Sequence, residues 1–229
     1  MAASLDVPTP ESTTVLSDQA IGGALGGAIR PAVSSANSSL DALRASMIAC
    51  SRCPKLALSR SRVVPGHGSI PATIVFIGIA PGRFGGDRTG IPFKGDRSGD
   101  LLRRMIKHAR LSGVFMTNLV RCNPRDERGR NRDPDASEIA NCGNYLTAEL
   151  ELARPGIIVC LGRIAWRRLA GREIPFTPST PLVTEHSGMR LFPMYHPAYV
   201  VRGAYMERSY RRDFRRLRAS YAELLAASP

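Results

Sequence analysis

No stretch of this 229-residue chain is apolar for long enough to span a membrane. Nor is there an internal repeat of the kind that builds solenoids or propellers. No basic residue precedes Arg30, whereas Asp6, Glu11 and Asp18 fall in that stretch, an arrangement that argues against a secretory signal or a transit peptide. The expected location is the cytoplasm, in association with the nucleoid. Acidic residues are scarce: 19 Asp and Glu stand against 32 Lys and Arg, for a net charge of +13 and a pI near 10.4. Such an excess favours an anionic partner, nucleic acid above all. Large apolar side chains are also sparse in residues 1–36, which are mostly Ala, Ser, Thr, Gly and Pro. That segment cannot bury enough surface to offset its ordering entropy, so it is expected to be a disordered tail before a single domain over residues 37–229.

Within the domain, apolar runs alternate with helical patterns. Ile74–Ile79, Val114–Val120 and Gly156–Gly162 are continuous, largely β-branched runs, read as buried strands. A shorter one, Phe192–His196, is the last. Between them the apolar spacing predicts helices: one from Ser39 into Cys50, one opened by Ser98, one opened by Asp135 with Glu138 as a capping box, one around Trp166, and one from about Tyr205 to the end. Strands alternating with helices predict a three-layer α/β/α sandwich around a mostly parallel sheet. Ligands bind such sheets in the crevice beyond the carboxyl ends of the strands. The first run ends there on Ala80-Pro81-Gly82 and feeds a long Gly-rich loop reaching Gly99. A connection so long without structure of its own is usually functional.

Four cysteines could hold a metal. Cys50 and Cys53 form a C-x2-C knuckle that can aim two thiolates at one centre, and Cys122 and Cys142 would complete a four-ligand set. Spacing alone leaves zinc and an iron–sulfur cluster equally open. Cys160, flanked by Val159 and Leu161 in mid-strand, reads as core. Asn118, near a strand end, could read a base edge with one donor and one acceptor in fixed geometry. His196 closes the last strand. Together with Phe93 and Asp96 on the Gly-rich loop, these residues all fall at strand carboxyl ends or just beyond them. Arg125, Arg128, Arg130 and Arg132 crowd a polar loop suited to gripping phosphates, and Arg202 follows the last strand.

These motifs together resemble the iron–sulfur branch of the uracil-DNA glycosylases, over roughly Cys50 to Leu217. Gly78-Ile79-Ala80-Pro81-Gly82, Arg88–Asp96, Thr117-Asn118-Leu119-Val120-Arg121-Cys122 and Tyr195-His196-Pro197 carry the resemblance. It implies excision of uracil from DNA by a monomer and a structural four-iron cluster on Cys50, Cys53, Cys122 and Cys142. It further implies a pocket formed by Gly78, Ala80, Pro81 and Gly82, with Phe93 stacked on the flipped base, Asn118 bonded to it and His196 on a pyrimidine oxygen. The match is mosaic. Type 4 members have a Glu before the Ala-Pro-Gly, where this chain has Ile79. The Arg-Thr-Gly and Gly-Asp loop resembles type 5, in which the residue matching Asp96 is thought to position the water. His196-Pro197-Ala198-Tyr199 looks closer to type 4. Two other readings stand beside the enzyme: a DNA-binding module of this fold with weakened catalysis, and a zinc-stabilised structural DNA-binding protein.

Overall fold

The computed structural model describes residues 33–178, 184–186 and 189–226. Six helices and four strands come first among the described residues: α1 (Val33–Ile48), α2 (Pro54–Ser59), β1 (His67–Gly68), β2 (Ile74–Gly78), α3 (Gly86–Thr89), α4 (Arg97–His108), β3 (Val114–Asn118) and α5 (Ala136–Ala153), then β4 (Ile157–Leu161) and α6 (Arg163–Ala170). The chain closes with β5 (Thr184–His186), β6 (Met189–Met194), α7 (Pro197–Val201) and α8 (Glu207–Ala226). The strands form one sheet in the order β1-β3-β2-β4-β6-β5. The four central strands are parallel, and each edge strand is antiparallel to its neighbour.

Strand periodicity separates two apolar layers. Val75 and Ile77 of β2 and Ile158 and Cys160 of β4 face one layer, with Leu146 and Leu150 of α5 and Trp166 of α6. Ile74 and Phe76, with Ile157, Val159 and Leu161, face the other, against Leu101, Leu102 and Met105 of α4 and Tyr210, Phe214 and Leu217 of α8. The expected α/β/α sandwich is therefore present, with β2 and β4 buried along their whole length.

Local expectations fare unevenly. The capping box is as expected: Asp135 accepts from the Glu138 N–H, and Glu138 reaches back to the Asp135 N–H. Ser98, however, does not cap α4. Asp96 does, its Oδ1 accepting from the Gly99 N–H at 2.8 Å. Helix α1 begins at Val33, four residues inside the stretch expected to be a tail; residues 1–32 lie outside the described residues. The last strand stops at Met194, so Tyr195 and His196 sit beyond it. No helix among the described residues is long and apolar enough to cross a membrane.

Candidate active site

From β2 the chain moves to β3 on one side, and the next parallel strand, β4, lies on the other. Such a switch in direction opens a crevice at the carboxyl ends of the strands. Here it is a cleft of about 610 Å³, lined by Ile79–Gly82 after β2, Asn118 at the end of β3, Gly162 and Arg163 after β4, and Tyr195 and His196 after β6. The Gly-rich loop adds Phe93 and Asp96, and the Arg-rich loop adds Asn123, Asn131 and Asp133. Arg202 and Tyr199 complete the rim. All four residues singled out at the strand ends thus line one cavity.

Gly78 and Asn118 are register partners in neighbouring strands. A Cβ on Gly78 would lie 2.5 Å from Asn118 Oδ1 and 2.7 Å from Phe93 Cζ. Only glycine lets both side chains approach the cleft floor at this point. Asn118 is 2% exposed, yet its side-chain amide has no partner among the described residues and is left to the cleft. Phe93 takes a left-handed backbone, φ 53°. For an aromatic residue this costs on the order of 1–3 kcal/mol and persists only where the surroundings impose it. They do so here: Arg103 donates from Nε to the Phe93 carbonyl and from Nη2 to the Pro92 carbonyl, both at 2.8 Å, and Gly99 packs against the Phe93 backbone. The ring ends 6.0 Å from the His196 ring, tilted by 40°.

His196 is the N-cap of α7, its Nδ1 accepting from the Ala198 N–H at 3.2 Å. An accepting Nδ1 puts the proton of the neutral ring on Nε2, where it can serve as a donor. Burial, and then the nearby Arg202 cation, push the His196 pKa down to about 4. The imidazole is therefore neutral at physiological pH. Asp96 spends Oδ1 on the α4 cap, while Oδ2 faces Gly82 and Gly85 and has no hydrogen-bond partner among the described residues. A Cβ on Gly85 would collide with that oxygen.

Two residues that sequence reasoning missed hold the Ala80–Gly82 turn. Asn123, 1% exposed, donates to the Pro81 carbonyl at 2.7 Å and to Asn131 Oδ1 at 2.9 Å. Asn131 Oδ1 also accepts from the Arg83 N–H. The available signal was Asn123 itself, an amide immediately after a candidate metal ligand.

The arginines of the 122–134 loop are not equivalent. Arg125 is ion-paired at 2.5 Å with Asp87, which is fully buried, and also bonds Asn123 Oδ1 and Ser61. It pins the two loops together rather than facing outward. Arg130 pairs with Asp126, and Arg132 with Glu138. The Arg128 guanidinium alone among them has no partner among the described residues.

The four cysteines remain free thiols and are partly shielded from solvent. Their surroundings link them. Burial raises the Cys122 and Cys142 thiols, and charge on Cys50 would raise both further. Each of three sulfurs has a nitrogen donor nearby: Arg60 to Cys122 at 3.2 Å, Arg52 to Cys50 at 3.5 Å, Asn141 to Cys53 at 3.4 Å. Burial raises Cys50 too, but its hydrogen bonds from Arg52 and Tyr145 outweigh that and leave it below the ordinary thiol value. Among the described residues no three His, Cys, Asp or Glu side chains converge tightly enough to hold a single ion. Cys160 is fully buried, and burial pushes its thiol far above the ordinary range, as befits a core residue.

A sequence model of the uracil DNA glycosylase superfamily matches residues 65–218, which include the whole cleft. The chain is 35% identical over 189 residues to a type-4 uracil-DNA glycosylase of Archaeoglobus fulgidus, covering 78% of this chain and 92% of that protein. It is 36% identical over 158 residues to the type-4 enzyme of Thermotoga maritima, covering 67% and 78%. It is 30% identical over 188 residues to a type-5 uracil-DNA glycosylase of Pyrobaculum aerophilum, covering 66% and 79%. On its sequence match and on the cleft it builds, the chain belongs to the uracil DNA glycosylase superfamily.

Proposed function

We propose that the protein is a DNA-repair glycosylase that hydrolyses the N-glycosidic bond between uracil and deoxyribose. One observation carries this reading: in a member of this superfamily, Phe93, Asp96, Asn118 and His196 line a single cleft at the sheet's switch point. A duplex base is out of reach of such a cleft, so the nucleotide must first leave the stack, at a cost of a few kcal/mol. The Phe93 ring offers a stacking face. The unpartnered Asn118 amide offers one donor and one acceptor to the edge of a pyrimidine, the pair needed to tell uracil from cytosine.

Bond cleavage places positive charge on the sugar and negative charge on the departing base. The neutral His196 ring can donate from Nε2 to the pyrimidine oxygen on which that charge collects. Asp96 Oδ2, open to the cleft, can accept a proton from the attacking water and steady the sugar cation. The unpaired Arg128 and the rim cation Arg202 are candidates for phosphate contacts. Ile79 supplies no carboxylate to the cleft, which favours the type-5 assignment of the water-positioning role to Asp96.

Four thiolates are the donor set of an iron–sulfur cluster, the reading that the family resemblance favours over zinc. A four-iron cluster takes one thiolate at each corner, and nitrogen donors to those sulfurs are the usual outer shell of such centres. Cys50, Cys53, Cys122 and Cys142 would hold it. Bound there, it would tie the 122–142 segment to the knuckle and take no part in hydrolysis. The reading is tested by incubating purified protein, as a monomer in solution, with oligonucleotides carrying uracil, hypoxanthine or hydroxymethyluracil. Release of free uracil supports it; binding without release would leave only a DNA-binding module.

A further inference from the structure

A buried ion pair lies directly beneath the base-reading Asn118. Arg121 is 1% exposed and Glu149 is fully buried, and they pair at 2.5 Å. Arg121 Nη1 donates to the Asn118 carbonyl at 2.7 Å and to the Leu119 carbonyl at 3.1 Å. Glu149 Oε2 accepts from the Thr117 hydroxyl at 2.6 Å, and Oε1 from the Gly66 N–H at 2.7 Å. Thr117, Asn118 and Leu119 are thus all tied to one Arg–carboxylate unit, at the point where β3 ends and ladder support from β2 is reduced to the Leu119 and Val120 N–H groups.

Such a unit is an expensive way to gain stability. Two buried charges lose their hydration, and an apolar pair of similar volume often serves as well. Arg121 Nε is moreover buried with no partner, so the guanidinium is not fully satisfied even here. What the pair provides that an apolar pair would not is direction: planar donors aimed at two successive carbonyls, fixed in turn by a carboxylate on α5. We infer that Arg121 and Glu149 are positioning residues that set the orientation of the Asn118 amide, and so the selection of uracil over cytosine. The inference rests on the proposed reading of Asn118 as the base-edge contact. The unit also adjoins the cysteines, since Arg121 precedes Cys122 and Cys142 shares α5 with Glu149.

The test reads base selection without chemistry. Oligonucleotides carrying 2′-fluorinated deoxyuridine or deoxycytidine resist cleavage, and the ratio of their dissociation constants measures discrimination. In Arg121→Lys a point charge replaces the planar fork, and in Glu149→Gln the fork loses its charged anchor while the volume is kept. Each variant should lower the uracil-to-cytosine ratio about tenfold, while affinity for undamaged DNA and its salt dependence stay at the wild-type level. A purely structural defect would scale all affinities together by the folded fraction. In an Asn118→Ala background, which has already lost discrimination, adding Arg121→Lys should change the ratio no further. Should the single variants not fold, Arg121→Met with Glu149→Leu replaces the pair by apolar volume and should show the same loss. An unchanged ratio in any folded variant, additive losses with Asn118→Ala, or a wild-type protein that binds both analogues equally would overturn the inference. Failure of the proposed activity looks different: no uracil is released from ordinary substrate although the analogue ratio is intact.

Discussion

His196 Nδ1 accepts a hydrogen bond from the Ala198 N–H two residues on, which makes one imidazole both the cap of α7 and a candidate donor to the leaving base. Protonating Nδ1 would break that bond and charge a half-buried ring beside Arg202. The His196 ring should therefore stay neutral down to about pH 4. The sign for stability follows. The unfolded chain, with an ordinary His pKa near 6.5, binds a proton that the native state refuses, so this contribution is complete above about pH 6.5 and is lost as pH falls towards 4. Titration of ring resonances in protein labelled at histidine checks it. A His196 midpoint near 6.5 would show that the ring is not held neutral by its site.

Arg125 and Arg128 stand three residues apart in one loop and should behave in opposite ways. Arg128→Ala removes an unpaired surface cation, so stability should hardly change. If that cation meets a phosphate, the slope of log affinity against log salt should flatten by about one unit. Arg125→Ala leaves the buried Asp87 carboxylate without its counter-charge, with only the Ser61 and Arg62 N–H groups among the described residues to hold it, and loss of one partner costs about 3–5 kcal/mol in comparable buried pairs. Denaturant unfolding and salt-dependent binding together separate the two. A stable Arg125→Ala with a flattened slope would return Arg125 to the DNA-contacting set in which its sequence context puts it.

That contrast marks where sequence reading runs out. Gly-Arg-Asn and Arg-Asp-Glu-Arg look alike as solvated charge runs, and the partner that removes Arg125 from the surface, Asp87, lies 38 residues away. Pairings at that separation leave no local pattern. Strands β2, β3 and β4 were readable because each is largely an apolar run buried between layers, whereas β6, which carries the exposed Arg190, was recognised only from Phe192 onward. Strands β1 and β5, two and three residues long, are too short for any period to register. Pro197 looks like a chain breaker but is the first residue of α7, a position that suits proline's fixed φ and missing N–H. Ser98 and Asp96 are both competent caps two residues apart, and the choice between them depends on how the loop from Gly85 arrives. Of the cleft, Asn118 was visible because it ends a strand, and Phe93, Asp96 and His196 because they lie on the connections just beyond strands. Arg103, Asn123 and Arg121 were not, since they act on backbone carbonyls that only the folded chain brings to them, and Glu149 acts through Arg121, the Thr117 hydroxyl and the Gly66 N–H.

The cysteine set makes a compositional prediction. Protein purified without oxygen should be brown and contain iron and acid-labile sulfide in comparable amounts, whereas stoichiometric zinc would remove the cluster. Cys53→Ala should lower soluble yield and stability more than it lowers the chemical rate per folded molecule, because metal binding free energy is folding free energy. Cys160→Ala, in the core and away from the other sulfurs, should cost only what a small buried truncation costs, roughly 1–2 kcal/mol, with iron content unchanged.

Asp96 carries two separable jobs, and two substitutions separate them. Its Oδ1 caps α4, and its Oδ2 faces the cleft without a partner. Asparagine is as good an N-cap as aspartate, so Asp96→Asn should keep the helix, the fold and DNA affinity. It removes the negative charge that steadies the sugar cation and the basic oxygen that takes a proton from water. The single-turnover rate on uracil should then fall by roughly 10²–10⁴-fold, the usual yield of a positioned acid–base group. Asp96→Ala loses the cap as well and should show the same rate defect together with about 0.5–2 kcal/mol of lost stability. His196→Ala should slow the same step by about 10²–10³-fold, through loss of one donor to the departing base. An Asp96→Asn protein that excises uracil at the wild-type rate would mean that Asp96 serves the helix alone. The water would then have to be held by another polar side chain of the cleft lining, Asn131 and Asp133 among them.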